Sequence, residues 1–305
     1  MNHDERNKKG GAHRSRALVL GAGGPVGRAW QSGLIAGLIQ QKIDLGDASL
    51  IIGTSAGAVV GAQLALKQGF GAPPKIAAAI ASVPPPVDSD GMADLAAAMA
   101  RAAQSPEPEL IRAEIGKMAL NTQTISEEAS VSRSMFAPFV RQAWPNQFRA
   151  TTVNARTGQL QIWDASSGAP LERAIAASTA VPGIWPPITI NGERYIDGGV
   201  RSMLNADLAI GSDIVIAVSC FALTAHDKAG MPFFTTINAP VLAELDAVRG
   251  SGATLAVIEP HSEFLVLTKH GTAMMDSNLV PEAYRLGHIT ANGEAELVRR
   301  VWNSD

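Results

Sequence analysis

A single cysteine, Cys220, is all that the 305 residues hold. One thiol excludes an intrachain disulfide and a cysteine-based metal site. Its run, Ile214-Val215-Ile216-Ala217-Val218-Ser219-Cys220, reads as a buried strand. Long apolar runs are also missing. The best candidate, residues 208–223, is cut by Gly211 and Asp213, short of the roughly 20 residues needed to cross a bilayer as a helix. The first sixteen residues are polar and mostly basic (Arg6, Lys8, Lys9, Arg14, Arg16), and the apolar run after them stops at Gly21. That is no core for a secretory signal, so residues 1–15 are expected to be a disordered basic tail. The expected location is cytoplasmic, with at most a peripheral membrane contact. Charge is scarce as well: 17% of residues are charged and the net charge is −3, which gives no bulk attraction to nucleic acid. The 46% hydrophobic content suffices for a large core, in one large domain or two small ones.

What the chain does have is glycine at two particular places. Gly21-Ala22-Gly23-Gly24-Pro25-Val26-Gly27 and Gly53-Thr54-Ser55-Ala56-Gly57 each follow a short apolar run and open a helical pattern. The spacing predicts a strand at about 16–21, a helix at about 27–40, a strand at about 48–53 and a helix at about 55–68. Alternating strands and helices imply a parallel sheet with right-handed crossovers. Residues 71–145 are rich in alanine and proline and nearly free of β-branched runs; they are expected to form a helical insertion or lid. Met92, Leu95 and Met99 share one helix face there, a stripe that reads as core, or as a lipid-facing surface if exposed. Two hairpins are expected around 154–158 and 191–193, a helix at about 170–178, buried strands at 213–219 and 254–258, and a closing helix over 281–302.

The second glycine turn fits the G-x-S-x-G nucleophile elbow, in which a strained strand-to-helix turn holds a serine at the top of a sheet. Gly53 and Gly57 would remove side chains that collide in so tight a turn, and the helix N-terminus behind Ser55 would favour a developing oxyanion. The first turn has three readings. As a dinucleotide fingerprint it has Val26 where the third glycine belongs; as a P-loop it lacks Gly-Lys-Ser/Thr; as an oxyanion loop it needs only N–H groups held open, and Pro25 suits the start of the helix behind them. A serine beside a ring of amide donors is equipment for acyl transfer. Such a serine needs a proton acceptor. None of the six histidines (His3, His13, His226, His261, His270, His288) sits in a motif that announces a base, whereas Asp197 ends a strand before Gly198-Gly199. Asp197 is thus a candidate base, or a turn cap of the kind Asp-Gly often makes.

Taken in order, Gly23-Gly24, Gly53 to Gly57 and Asp197-Gly198-Gly199 resemble the patatin-like phospholipase family. So does the stretch Ala177-Ser178-Thr179-Ala180-Val181-Pro182-Gly183-Ile184-Trp185-Pro186-Pro187. The resemblance covers about 16–220. It implies a three-layer α/β fold with a mostly parallel central sheet over 16–305, and a lipid acyl hydrolase of phospholipase A type. By it, Ser55 is the nucleophile, Asp197 the base, and Gly23 and Gly24 the oxyanion donors, with Gly53, Gly57, Gly198 and Gly199 as supporting positions. It implies a lipid or other acyl-ester substrate, with the membrane surface as one place to meet it, no nucleic-acid partner, and no metal or organic cofactor. Two positions depart from the family pattern: Val26 stands where Arg or Lys is usual, and Ala22 where glycine is frequent. The rival readings are an ordinary α/β-hydrolase, with Ser55, Asp197 and His261 or His288 as a triad, and a nucleotide-binding module using Gly21 to Gly27.

Overall fold

Strands form where β-branched and apolar residues run uninterrupted. In this computed structural model, which describes residues 14–70, 89–223 and 232–304, eight strands make one sheet. They are β1 (Arg16–Leu20), β2 (Leu50–Thr54), β3 (Phe148–Asn154), β4 (Leu160–Trp163), β5 (Ile188–Ile190), β6 (Glu193–Asp197), β7 (Ile214–Val218) and β8 (Thr254–Ile258). The order is β5-β6-β3-β2-β1-β7-β8, with β4 on the other edge of β3. β3, β2, β1, β7 and β8 are mutually parallel; β4, β5 and β6 are joined by antiparallel pairs. The sheet is therefore mixed, with the parallel portion at its centre.

Each central strand is buried on both faces. Leu18, Leu20, Ile51, Ile214 and Ile216 join one apolar cluster, while Ala17, Val19, Ile52, Val215 and Ala217 join another. On the first face lie α1 (Gly24–Gln40), α2 (Ala56–Ala65), α6 (Leu171–Ser178) and α9 (Val280–Trp302); on the second lies α7 (Pro232–Gly250). The result is a three-layer α/β fold, as the sequence implies. Between α2 and β3 the described residues form α3 (Ser89–Gln104), α4 (Pro108–Asn121), the short α5 (Glu127–Val131) and a 3₁₀ segment (Ser134–Phe139). Leu95 and Met99 pack with Ile115, Val153 and Ile196, so this part of the stripe is core and not lipid-facing surface; Met92 lies outside the described side chains. Most of the basic tail, residues 1–13, also lies outside the described residues.

Three elements depart from the expected bounds. Helix α1 starts at Gly24, not near 27, because Pro25 occupies its first turn, where the missing N–H is no loss. Helix α2 ends at Ala65, with Lys67 in the left-handed region just beyond. Helix α7 has no counterpart among the expected elements; Pro240 lies inside it. Helices α1 and α9 approach at backbone distance. A Cβ at Gly33 would collide with the Tyr284 carbonyl, and one at Gly287 with the Trp30 carbonyl. Glycine is required at both by close approach, whatever its helix propensity.

Candidate active site

β3 acts as the ruler that brings the two distant motifs together. Thr54 pairs with Thr151, and Asp197 pairs with the next residue, Thr152. Since β4 runs along the opposite edge of β3 at both positions, β6 takes over the edge that β2 leaves at Thr54. The chain of β2 turns away at Ser55, and the end of β6 arrives beside it.

Ser55 is the N-cap of α2, with φ 54° and ψ −114°. A non-glycine residue pays about 1–3 kcal/mol for such a conformation. Its surroundings hold it there. The Ser55 N–H donates to Ser178 Oγ at 3.0 Å, and the Gly57 N–H to the Gly21 carbonyl at 3.1 Å. A Cβ on Gly57 would collide with the Leu20 carbonyl, and one on Gly53 would lie 2.5 Å from Ala58 Cα. The flanking glycines thus permit a turn tighter than side chains allow.

Asp197 is 4% exposed. Its N–H donates to the Ala180 carbonyl at 3.0 Å, and its Oδ1 accepts from the Gly199 N–H at 2.7 Å. Burial raises the carboxyl from 3.8 to about 7, against the lowering effects of the facing Ser55 hydroxyl and the Gly199 N–H. A carboxylate tuned near neutral pH and facing a strained hydroxyl can act as a general base. Gly198 leaves no space for a side chain: a Cβ there would be 2.5 Å from the Thr151 carbonyl.

In the first glycine loop the Gly21 N–H donates to the Val218 carbonyl and the Ala22 N–H to the Met203 carbonyl. Gln31 Nε2 fixes the Gly21 carbonyl at 2.7 Å. Gly24 has φ +58°, a conformation that favours glycine. Among the described residues the N–H groups of Gly23 and Gly24 have no acceptor. Cys220 lies under this loop, 1% exposed, accepting from Gln31 Nε2 at 3.0 Å. Burial pushes its thiol up to about 12, which makes it a packing residue.

The histidines of the triad reading bond elsewhere. His261 Nε2 faces Glu294 at 3.5 Å, and His288 Nε2 faces the Tyr284 hydroxyl at 3.3 Å. His226 lies outside the described residues. Among the described residues no group of three metal-ligating side chains is assembled, and no helix is long and apolar enough to cross a membrane.

Two contributors carry little or no signal in the sequence. Ser178 is legible only as part of a longer motif, and Asn205 is not legible at all. Asn205 is fully buried in a left-handed conformation (φ 58°, ψ 41°), and its Nδ2 donates to Thr54 Oγ1 at 3.0 Å, the Ser202 carbonyl at 2.9 Å and the Gly198 carbonyl at 3.4 Å. It thereby ties the residue before Ser55 to the residue after Asp197. Its Oδ1 accepts from Arg201 Nη1 at 2.7 Å, and Arg201 also pairs with Asp207 at 2.6 Å and Glu244 at 3.6 Å. It stands eight places after Asp197 in a loop with no motif of its own, so nothing in the sequence points to it.

A sequence profile described as patatin-like phospholipase matches residues 18–210. Among solved structures the chain is similar to VipD from Legionella pneumophila, with 13% identity and a TM-score of 0.42 over 92% of this chain and 67% of that one. It is also similar to the type III effector protein ExoU, with 14% identity and a TM-score of 0.33 over 90% of this chain and 54% of that one.

Proposed function

Because the chain belongs to the patatin-like phospholipase family, a family of lipid hydrolases, we propose that it cleaves a carboxylic ester of a lipid through a Ser55–Asp197 dyad. The observation that carries this reading is the buried carboxylate of Asp197, raised to about 7, facing a serine held at φ 54°. Asp197 takes the Ser55 proton as Oγ attacks the acyl carbonyl. The tetrahedral oxyanion accepts from the Gly23 and Gly24 N–H groups. Asp197 then returns the proton to the leaving alkoxide. Water, deprotonated by Asp197, releases the acyl group from Ser55 and restores the hydroxyl. Oxyanion donors fixed before the reaction need no reorganisation as charge develops.

Residues 16–305 are proposed to act as one catalytic unit, supported by the completion of the sheet by β7 and β8 beyond the matched region. The helices between α2 and β3 are the proposed wall of the acyl site. Their support is the packing of Leu95 and Met99 with Ile196, the residue before Asp197. The lipid is met at a membrane surface.

A fluorophosphonate probe tests the nucleophile without knowledge of the substrate. The expected result is one adduct, mapped to the peptide that contains Ser55 and absent in Ser55→Ala. Labelling at another serine, or none in folded protein, rejects the dyad.

A further inference from the structure

Helix α7 carries an acid on its buried face. Val241, Leu245 and Val248 pack on the sheet, and the spacing puts Glu244 among them; only 9% of it is exposed. Packing alone favours an apolar side chain at such a position, because a buried carboxylate must recover its lost hydration from hydrogen bonds and charge. Glu244 recovers it from one loop. Its Oε2 accepts from the Ser202 hydroxyl at 2.9 Å and from the Ala206 N–H at 2.9 Å, and its Oε1 lies 3.6 Å from Arg201 Nη1. Ser202 Oγ accepts in turn from the N–H groups of Leu204 and Asn205, each at 3.1 Å. Residues 201–206 are thus wound about a single carboxylate.

The same loop bonds to all three parts of the candidate centre. The Met203 carbonyl accepts from the Ala22 N–H at 2.8 Å, beside Gly23 in the first glycine loop. The Leu204 carbonyl accepts from the Thr54 hydroxyl at 3.4 Å, one residue before Ser55. Asn205 Nδ2 reaches both Thr54 Oγ1 and the Gly198 carbonyl, so the loop also meets the turn after Asp197. A shift of about 1 Å between such parts can cost about 10²-fold in rate. We propose that Glu244 is a positioning residue for ester hydrolysis, setting the loop that keeps the glycine loop, the Ser55 elbow and the Asp197 turn in register. What is positioned rests on the hydrolase reading, whereas the hold on the loop rests on the hydrogen bonds alone.

The hold depends on charge. Burial and then the Asp207 charge raise Glu244 from 4.5 to about 7, against the lowering effects of the Ala206 N–H, Arg201 and the Ser202 hydroxyl. Asp207 and Arg201 are the charged groups of the loop that face it; on α3, which packs beside α7, Arg101 pairs with Glu114. A neutral carboxyl accepts more weakly from Ser202 and Ala206. It also ceases to attract Arg201, which keeps Asp207 at 2.6 Å and Asn205 at 2.7 Å. The hold therefore loosens as pH falls through about 7.

Hydrolysis of a short p-nitrophenyl ester, read beside amide hydrogen exchange, tests this. Glu244→Ala should lower kcat about tenfold or more while KM moves less than about threefold. The amides of Ala22, Leu204, Asn205 and Ala206 should exchange about tenfold faster or more. Glu244→Gln keeps an acceptor for Ser202 and Ala206 without the charge. The kcat/KM ratio of wild type to Glu244→Gln should lie near one at about pH 5.5 and rise about fivefold or more by about pH 8.5. Asp197 titrates in both proteins and cancels in that ratio. If Glu244→Ala does not fold, Glu244→Gln and Ser202→Ala carry the comparison, with Ser202→Ala slower than wild type at both pH values. A folded Glu244→Ala variant with wild-type kcat, or a ratio equal at the two pH values, overturns the positioning role. Wild-type protein that cleaves no ester rejects the hydrolase reading; faster exchange in Glu244→Ala then still upholds the hold on the loop, and unchanged exchange rejects that as well.

Discussion

Replacing Asp197 with asparagine should inactivate the protein and stabilise it at the same time. Asparagine has the shape of a protonated aspartic acid, so its Oδ1 can still accept from the Gly199 N–H and its Nδ2 can face Ser55. What is lost is a proton acceptor, and what is removed is a buried negative charge. A carboxyl raised from 3.8 to about 7, at about 1.4 kcal/mol per pH unit, lowers folding stability by about 4 kcal/mol once ionised. The sign follows from which state holds the proton. Below pH 3.8 the folded and unfolded chains are both protonated at this site, and the variant gains nothing. Between 3.8 and about 7 the unfolded chain ionises first, so wild-type stability falls as pH rises. Above about 7 the loss is complete. Denaturant melts at about pH 4, 5.5 and 8 should therefore show the advantage of Asp197→Asn growing from nearly zero to about 4 kcal/mol. Ester hydrolysis should fall by about 10²–10⁴-fold, and wild-type kcat/KM should rise with pH to a plateau above about 7. A variant that is less stable than wild type at the highest of these pH values, or that hydrolyses esters normally, would refute the reasoning.

Ser55→Ala should remove ester hydrolysis while its circular dichroism stays native, because the backbone and the neighbouring glycines impose the strain; a folded variant with wild-type turnover would exclude Ser55. His261→Ala and His288→Ala should keep most turnover, and a folded histidine variant as slow as Ser55→Ala would restore the triad. Gly57→Ala should lose about 3 kcal/mol or more, since the Leu20 carbonyl cannot retreat, whereas Gly61→Ala meets only side-chain atoms at 3.0–3.1 Å and should cost less; equal melting temperatures would disprove the close approach. Asn205→Gly and Asn205→Ala should both lower kcat/KM, with glycine the more stable by about 1 kcal/mol because it accepts the left-handed backbone; a more stable alanine variant would contradict this.

Whatever depends on neighbours in the chain is legible in the sequence. Ile214 to Val218 and Thr254 to Ile258 are unbroken β-branched or apolar runs, and they form β7 and β8. The elbow at Ser55 is visible because its glycines stand two residues away on each side. Helix α7 is hidden by Pro240, which argues locally against a helix and is overridden by packing of Val241, Leu245 and Val248 on the sheet. The start of α1 is hidden because two glycines and a proline give little helical signal. Asn205 cannot be read at all. Its partner Thr54 is 151 residues away, and no periodicity encodes a contact of that range.

The glycine seam between α1 and α9 bears on where this protein can be cut. Residues 18–210 carry every recognisable motif, and a chain shortened to that span would keep them all. Yet β7, which flanks β1, and α9, whose Gly287 sits against the Trp30 carbonyl, both come later. Trimming to the matched region would strip one edge from β1 and the backing from the helix whose first residue is Gly24. The recognisable segment is thus smaller than the smallest piece that can hold its own glycine loop in place, and the inheritance of this architecture must include a C-terminal third that carries no signature.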